Sequence, residues 1–365
     1  KGTSEKFLEL VTYAENMKLL LLTATPMFND YREILWLTNL MNLNDNRYPI
    51  LNSDVFDSKG KITKKGKELL IQKLIGYVSY VKGEHPFSFP YRIWPNEFNN
   101  PHSLIKLLKH DMIKYPKKQI NDTPIKNPIK LLDLEYIKIG TYQQKGYEYI
   151  INKIKKKIKS NKKKGLSYTI LDPPLQALNM IYPHENLENK KDKNIEKLLY
   201  GGAGLNRVMK FNPMPPLGLA SKAKTDFEYK SSTLKNWGSI FSPKEIKKYS
   251  TKIHYIMSNI KRSTGIIMIY SQFIDGGCVP LALALEEIGI TRYGKKKSLF
   301  KTPPSLPLDS ITLKNSRKPN FPAKYIMITG DKYLSGPRTT INNKWEIDAA
   351  TNSNNINGER VKVII

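Results

Sequence analysis

Gly265-Ile266-Ile267-Met268-Ile269-Tyr270 runs directly into Ser271-Gln272-Phe273-Ile274-Asp275-Gly276-Gly277, and this stretch decides the fold class. A short apolar run, a polar turn closed by two glycines and then an apolar helical segment make a strand–turn–helix unit. Pro280 stands near the start of that helix and Gly289 just past its end, the asymmetry that helix termini favour. Working outward, short strands are expected at 290–293, 325–329 and 361–365, with a helix at 343–351 and an Asn-rich loop at 352–357. Upstream, Ser242-Pro243 reads as an N-cap and first-turn pair, with Ile253, Ile256, Met257 and Ile260 as the buried stripe of its helix.

The same rhythm is expected near the start. Phe7, Leu8, Val11 and Ala14 have helical spacing, so a helix is expected over 4–16. Residues 18–22 form a continuous apolar run, consistent with a strand buried on both faces of a parallel sheet. It ends in the turn Thr23-Ala24-Thr25-Pro26. Asp30 with Glu33 reads as a capping box, opening a helix that buries Ile34, Leu37, Thr38 and Met41.

Between these ends the rhythm breaks. A helix is expected over 67–75, followed by the aromatic stretch Tyr77-Val78-Ser79-Tyr80. Residues 87–95 carry two prolines among aromatics, which suits an ordered loop or edge segment. Residues 130–139 alternate like a strand. Residues 141–160 form a helix with Tyr147, Ile150, Ile151, Ile154 and Ile158 on one face. Its lysines, from Lys153 to Lys164, either track phosphates or form a solvated face. Residues 183–235 read as linker or insertion, and 295–324 as a flexible basic insertion. Gly201-Gly202-Ala203-Gly204 is no P-loop, since no Lys-Ser/Thr follows it and no strand feeds it.

The 365 residues suffice for two domains, and no apolar run approaches the ~20 residues of a membrane helix. The charge balance is 60 Lys+Arg against 32 Asp+Glu, a net of +28, which calls for a polyanionic partner such as nucleic acid. The alternative source is codon bias of an AT-rich genome, although that bias should raise the acidic residues too. Cys278 stands alone and the five histidines are scattered, so neither a disulfide nor a metal site is expected. The chain opens on Lys1 without a secretion signal and reads as an internal piece of a longer protein.

Thr23-Ala24-Thr25-Pro26, followed by Met27-Phe28-Asn29-Asp30 and by Glu33-Ile34-Leu35-Trp36, resembles motif III of superfamily 2 helicases of the Swi/Snf-type branch. The aromatic block at 87–95 and the Tyr270–Gly277 turn look more specifically like the helicase-related proteins of large DNA viruses. That family includes the poxvirus early transcription factor subunit and nucleoside triphosphate phosphohydrolase. Ile328-Thr329-Gly330-Asp331 and Asn354-Asn355-Ile356-Asn357-Gly358 resemble its following segments, and 361–365 the strand that leads to motif V.

The resemblance implies an α/β fold made of parts of two RecA-like parallel-sheet domains. Residues 1–43 would end the first, 44–241 would be a largely helical insertion, and 242–365 would form an incomplete second. It implies that Thr23, Ala24, Thr25 and Pro26 couple nucleotide state to movement, or else form an ordinary strand-end turn. Ser271, Gln272, Phe273, Asp275, Gly330 and Asp331 would contact nucleic acid, DNA ahead of RNA. Asp275 with Gly276 is alternatively a helix cap, and Gly330 a plain turn glycine. Tyr91 and Trp94 either stack on a base or pack a hairpin. The parent would use ATP and Mg²⁺, work with viral RNA polymerase and act in the virion or host cytoplasm. No P-loop, acidic Mg²⁺ box or arginine-finger motif occurs in these residues, so no catalytic residue is assigned and no ATP turnover is expected. The alternative is a non-enzymatic basic nucleic-acid-binding module.

Overall fold

The computed structural model describes residues 3–23, 25–27, 32–58, 60–80, 93–98, 100–126, 128–129, 132–160, 168–188, 194–211, 226–294, 298–331, 334 and 342–365. Contacts divide the chain into two units, 1–92 and 93–365.

The first unit is helical among its described residues: α1 (Thr3–Tyr13), α2 (Glu33–Asn44), α3 (Asn52–Val55) and α4 (Lys64–Leu74). Its core is Leu35, Ile50 and Val55, with Leu69 and Leu70 of α4 packed on it. Thr63 caps α4 by accepting from Gly66 N at 2.9 Å. Gly66 has no room for a side chain, because a Cβ there would lie 2.3 Å from the carbonyl oxygen of Val55.

Two expectations change here. Residues 18–22 form no strand, and Leu20 and Leu22 are 78% and 85% exposed. A strand buried on both faces needs neighbours to pair with, and the described residues of this unit supply none. Helix α2 buries Leu35, Thr38, Leu40 and Asn42, while Ile34, Leu37 and Met41 are half-buried. Asn42 Nδ2 donates to the carbonyls of Thr38 at 2.8 Å and Lys73 at 3.3 Å, which anchors this polar residue on the inner face. The expected cap Asp30 lies outside the described residues, as does most of the aromatic block at 87–95.

The second unit is mixed α/β and holds a four-stranded parallel sheet. Its strands are β3 (Ile267–Met268), β4 (Thr291–Arg292), β5 (Lys324–Ile326) and β6 (Val363–Ile364), in the order β3-β6-β5-β4. The four strands expected from 265 onward are thus present and share one sheet. Regular hydrogen bonds lengthen the short ladders: Ile269 N donates to Ile364 O at 2.8 Å, and Ile328 N to Ile365 O at 2.8 Å.

The two faces of the sheet bury different partners. On β5, Tyr325 and then Met327 enter the main core, while Ile326 between them packs with Ala349 and Ala350 of the helix Asn342–Thr351. Helix α13 (Val279–Glu287) lies in the main core, and all nine of its residues are buried. An α-helix that is apolar almost all round fits only where every side is covered. The long helix α6 (Thr141–Ser160) matches its expected bounds, and it buries Tyr142, Gln143, Ile150 and Ile154. Helices α7 (Tyr168–Asn179) and α12 (Thr251–Ile260) complete this layer.

Residues 183–235 are not linker where described. Helix α9 (Gly201–Val208) and the antiparallel pair β1 (Met209–Lys210) and β2 (Glu228–Tyr229) place Leu205, Val208, Met209 and Phe227 in the core. Nor is the described part of 295–324 a flexible insertion. Leu299, Phe300 and Leu308 are buried, and the Asp309 carboxylate accepts backbone N–H bonds from Ile311, Thr312 and Phe321. The physical reason is shared: Pro and Gly punctuate these segments, but buried anchors and side-chain caps replace regular ladders. The described part of 130–139 forms no regular strand: a bridge between Glu135 and Ser103 joins it to its neighbour, and the Asp133 carboxylate accepts from Ser103 Oγ and Ile105 N. The helix expected from Ser242-Pro243 starts later, at Ile246, and breaks at Ser250, which caps α12.

Candidate functional site

The carboxyl ends of β3, β6 and β5 open into a crevice of about 460 Å³. Helix α13 leaves β3 into the main core, whereas the helix after β5 covers the opposite face. Chains that depart to opposite faces leave a gap above the strand between them, which is where open parallel sheets bind ligands. The apolar walls include Met268, Tyr270, Ile328 and Ile364. The polar edge is Ser271, Gln272, Thr329 and Gly330. No charged side chain lines the crevice among the described residues.

The turn after β3 is held rigidly. Ser271 Oγ accepts from Phe273 N at 3.2 Å and lies 3.2 Å from Phe273 O, closing the turn on itself. The chain then makes a wide π-helical turn, Ile274–Cys278, before α13. Gly277 is required there by close approach, because a Cβ would sit 2.1 Å from Ser271 Oγ. Asn179 of α7 donates to Gly276 O at 3.1 Å, and Lys252 Nζ of α12 donates to Asn179 Oδ1 at 2.7 Å. Burial of the lone thiol, Cys278, pushes its pKa up, so it is a packing residue in the crevice floor rather than a reactive one.

The residues singled out in the sequence separate into groups. Ser271, Gln272 and Gly330 come together at the crevice although more than fifty positions part them in the chain. Phe273 is half-buried behind the turn. Asp275 faces away toward α9, where a Cβ on Gly202 would lie 2.9 Å from its Oδ2. Asp331 N donates to Thr329 Oγ1 at 3.2 Å, which folds the β5 exit back on itself below the rim. Thr23 and Pro26 are exposed; Thr25 N donates to Thr23 Oγ1 at 3.0 Å, and Ala24 lies outside the described residues. Sequence reasoning missed Tyr270, Thr329 and Ile328 as lining residues. Their signal was positional, since each sits at the end of a strand that was expected.

The glycine-rich start of α9 is filled by Gln176 and by the Asp275 carboxylate, and a phosphate there would meet a like charge. No group of three or more His, Cys, Asp or Glu side chains among the described residues could hold a metal ion. No helix among them is long and apolar enough to cross a membrane.

The fold is that of a mixed α/β protein with a crevice at the carboxyl edge of a parallel four-stranded sheet. No protein-family model matches the chain, and no curated protein matches it either.

Proposed function

We propose that the chain is part of a nucleic-acid-dependent ATPase of superfamily 2, contributing the strand ends that contact nucleic acid. One observation carries the reading: Ser271 and Gln272 meet Gly330 at the carboxyl edge of one parallel sheet. Those residues come from the two segments that resemble successive helicase motifs, and the parallel sheet is compatible with a RecA-like domain. The reading extends to two RecA-like domains in the parent, with ATP and Mg²⁺ bound there by segments outside these residues. Viral RNA polymerase is the protein partner in that reading, and the virion or the host cytoplasm the setting.

A second reading, a basic binding module without catalysis, is favoured by the exposed state of residues 18–22. The segment leading into Thr23-Ala24-Thr25-Pro26 is not held in a sheet.

Fluorescence anisotropy with a labelled DNA oligonucleotide tests the shared core of both. With a net charge of +28, affinity should fall about 10³-fold or more between 50 and 200 mM salt if six or more phosphates are contacted. An affinity indifferent to salt would overturn both readings. In a phosphate-release assay the purified chain should show no DNA-stimulated ATP hydrolysis; stimulated turnover would show that it carries a nucleotide site of its own.

A further inference from the structure

We infer that the groove between the first turns of α6 and the short helix α11 (Ile246–Tyr249) seats a backbone phosphate of nucleic acid, and that the polymer then follows the outer face of α6 toward Lys156. The inference rests on the nucleic-acid reading above and gives the polyanion a place on the surface. The groove has a volume of about 460 Å³ and is lined by Thr141, Tyr142, Lys145 and Lys248. Two lysines from helices distant in the chain thus border one space. Their mutual repulsion becomes two attractions once an anion sits between them. Thr141 adds a hydroxyl at the same rim.

The floor is fixed before any ligand arrives. The Tyr142 hydroxyl accepts from His184 N at 2.9 Å, and its ring meets that of Tyr249 edge-on, 5.3 Å between centres. Beside it, the buried Gln143 amide donates to Ala177 O at 3.1 Å and accepts from Thr251 N at 3.2 Å, tying α6 to α7 and α12. Lys248 Nζ lies 5.1 Å from the centre of the Tyr142 ring and 5.4 Å from that of Tyr249. Ring faces orient an ammonium without cancelling its charge, so the cation is held at the groove. The positive field reaches further: burial lowers the pKa of His254 on α12, and the charge of Lys247 on α11 lowers it again.

The lysines of α6 divide into two sets. Lys153 lies over the Tyr149 ring, 5.5 Å from its centre, and Lys157 pairs with Glu196 at 2.6 Å. Lys145, Asn152 and Lys156 instead share one exposed stripe, at steps of seven and four residues. Glu148, the carboxylate of α6, is engaged by Gln144 Nε2 at 2.8 Å. The rise of the helix sets Lys145 and Lys156 roughly 16 Å apart along its axis. A small free anion needs only the groove, whereas a second cation in line suits a chain of phosphates. Lysine serves such a chain as a point charge and reads no base.

The test is a salt titration of DNA binding by the full chain, followed by the anisotropy of a labelled duplex. The readout is the slope of log affinity against log salt. Lys145→Gln with Lys248→Gln should make that slope shallower by about 1, and Lys156→Gln by about 1 more. Lys145→Arg with Lys248→Arg keeps both charges and should keep the slope. Lys235→Gln, which removes the same charge from α10 (Ser231–Trp237), should also leave it unchanged. Lys145, Lys156 and Lys248 are exposed, and circular dichroism melts check that each variant is folded. Salt-dependent binding of the wild-type chain, with the slope unaltered in the groove variants, would overturn the inference and leave the nucleic-acid reading standing. An equal loss of slope in Lys235→Gln would do the same. Absence of binding at low salt would overturn both. Binding to phosphatidylserine vesicles that the groove variants lose, with DNA binding untouched, would overturn it in favour of a membrane surface.

Discussion

Tyr325 Oη donates to Glu286 Oε1 at 2.6 Å inside the core, joining the central strand β5 to the end of α13. The same carboxylate accepts from Leu299 N at 2.7 Å and Phe300 N at 2.8 Å, so one side chain ties strand, helix and the loop after β4 together. Tyr325→Phe removes a donor to a buried carboxylate and should destabilise the second unit by about 1–3 kcal/mol. Urea unfolding followed by circular dichroism measures this; a cost near zero would mean that water replaces the hydroxyl.

Burial raises the pKa of Glu286 above the ordinary 4.5, against the hydrogen bonds from Tyr325 and the loop. Between pH 4.5 and its raised native value, the native carboxyl therefore keeps a proton that the unfolded chain has released. The stability linked to this group is full below pH 4.5 and declines as pH rises through its native value. Glu286→Gln should flatten that decline in a series of melts across pH, although it lowers stability at every pH by turning an amide donor toward a backbone N–H. A parallel downward shift with the same pH slope would contradict the assignment.

Asp309 behaves in the opposite sense. Backbone N–H bonds, that of Thr312 foremost, hold its pKa below the ordinary 3.8. Its contribution is complete above pH 3.8 and is lost as pH falls through the depressed native value. Asp309→Asn should remove this part of the acid sensitivity and loosen the turn around 311–321, which amide hydrogen exchange at Thr312 and Phe321 would detect. Unaltered protection at both amides would count against the role of the carboxylate.

Gly276 and Gly277 should respond differently to alanine. A Cβ on Gly276 meets the flexible Gln176 side chain, from Oε1 at 2.3 Å to Cγ at 3.0 Å, which can swing aside, whereas on Gly277 it meets Ser271 Oγ at 2.1 Å and Ser271 Cβ at 3.1 Å. Gly277→Ala should cost about 1–3 kcal/mol and distort the turn at the crevice, and Gly276→Ala distinctly less. Equal losses would show that the Ser271 rotamer is free to move.

In the first unit, Gly66→Ala sets helix propensity against space. In an open helix the change would gain about 0.5–1 kcal/mol, yet the backbone of Val55 stands 2.3–2.7 Å from the new Cβ. The variant should be destabilised by more than 1 kcal/mol. A higher melting temperature would mean that α3 and α4 can separate without cost.

What was legible in the sequence follows from what a local pattern can encode. Helix α6 was readable end to end because Ile150, Ile154 and Ile158 repeat at the helical period on one covered face. The strands at 267, 291, 324 and 363 were readable as short apolar runs between turns, and their tips supplied Ser271, Gln272 and Gly330. Residues 18–22 carried a similar pattern and failed, since strand formation depends on partners that a window of five residues does not contain. The 183–235 and 295–324 segments failed for the converse reason. Their order comes from single anchors such as Phe227, Leu299 and the Asp309 carboxylate, which have no period. The crevice itself was invisible, because an empty volume belongs to the packing of distant strand ends.

Helix α13 has no wet side, so its nine residues constrain one another through their neighbours. Change there demands a matching change in a facing side chain, and variants must arise in compensated sets. The rim beside it obeys no such rule: Met268 and Tyr270 touch mostly solvent and can be exchanged one at a time. The architecture thus separates a locked frame from a rim open to change.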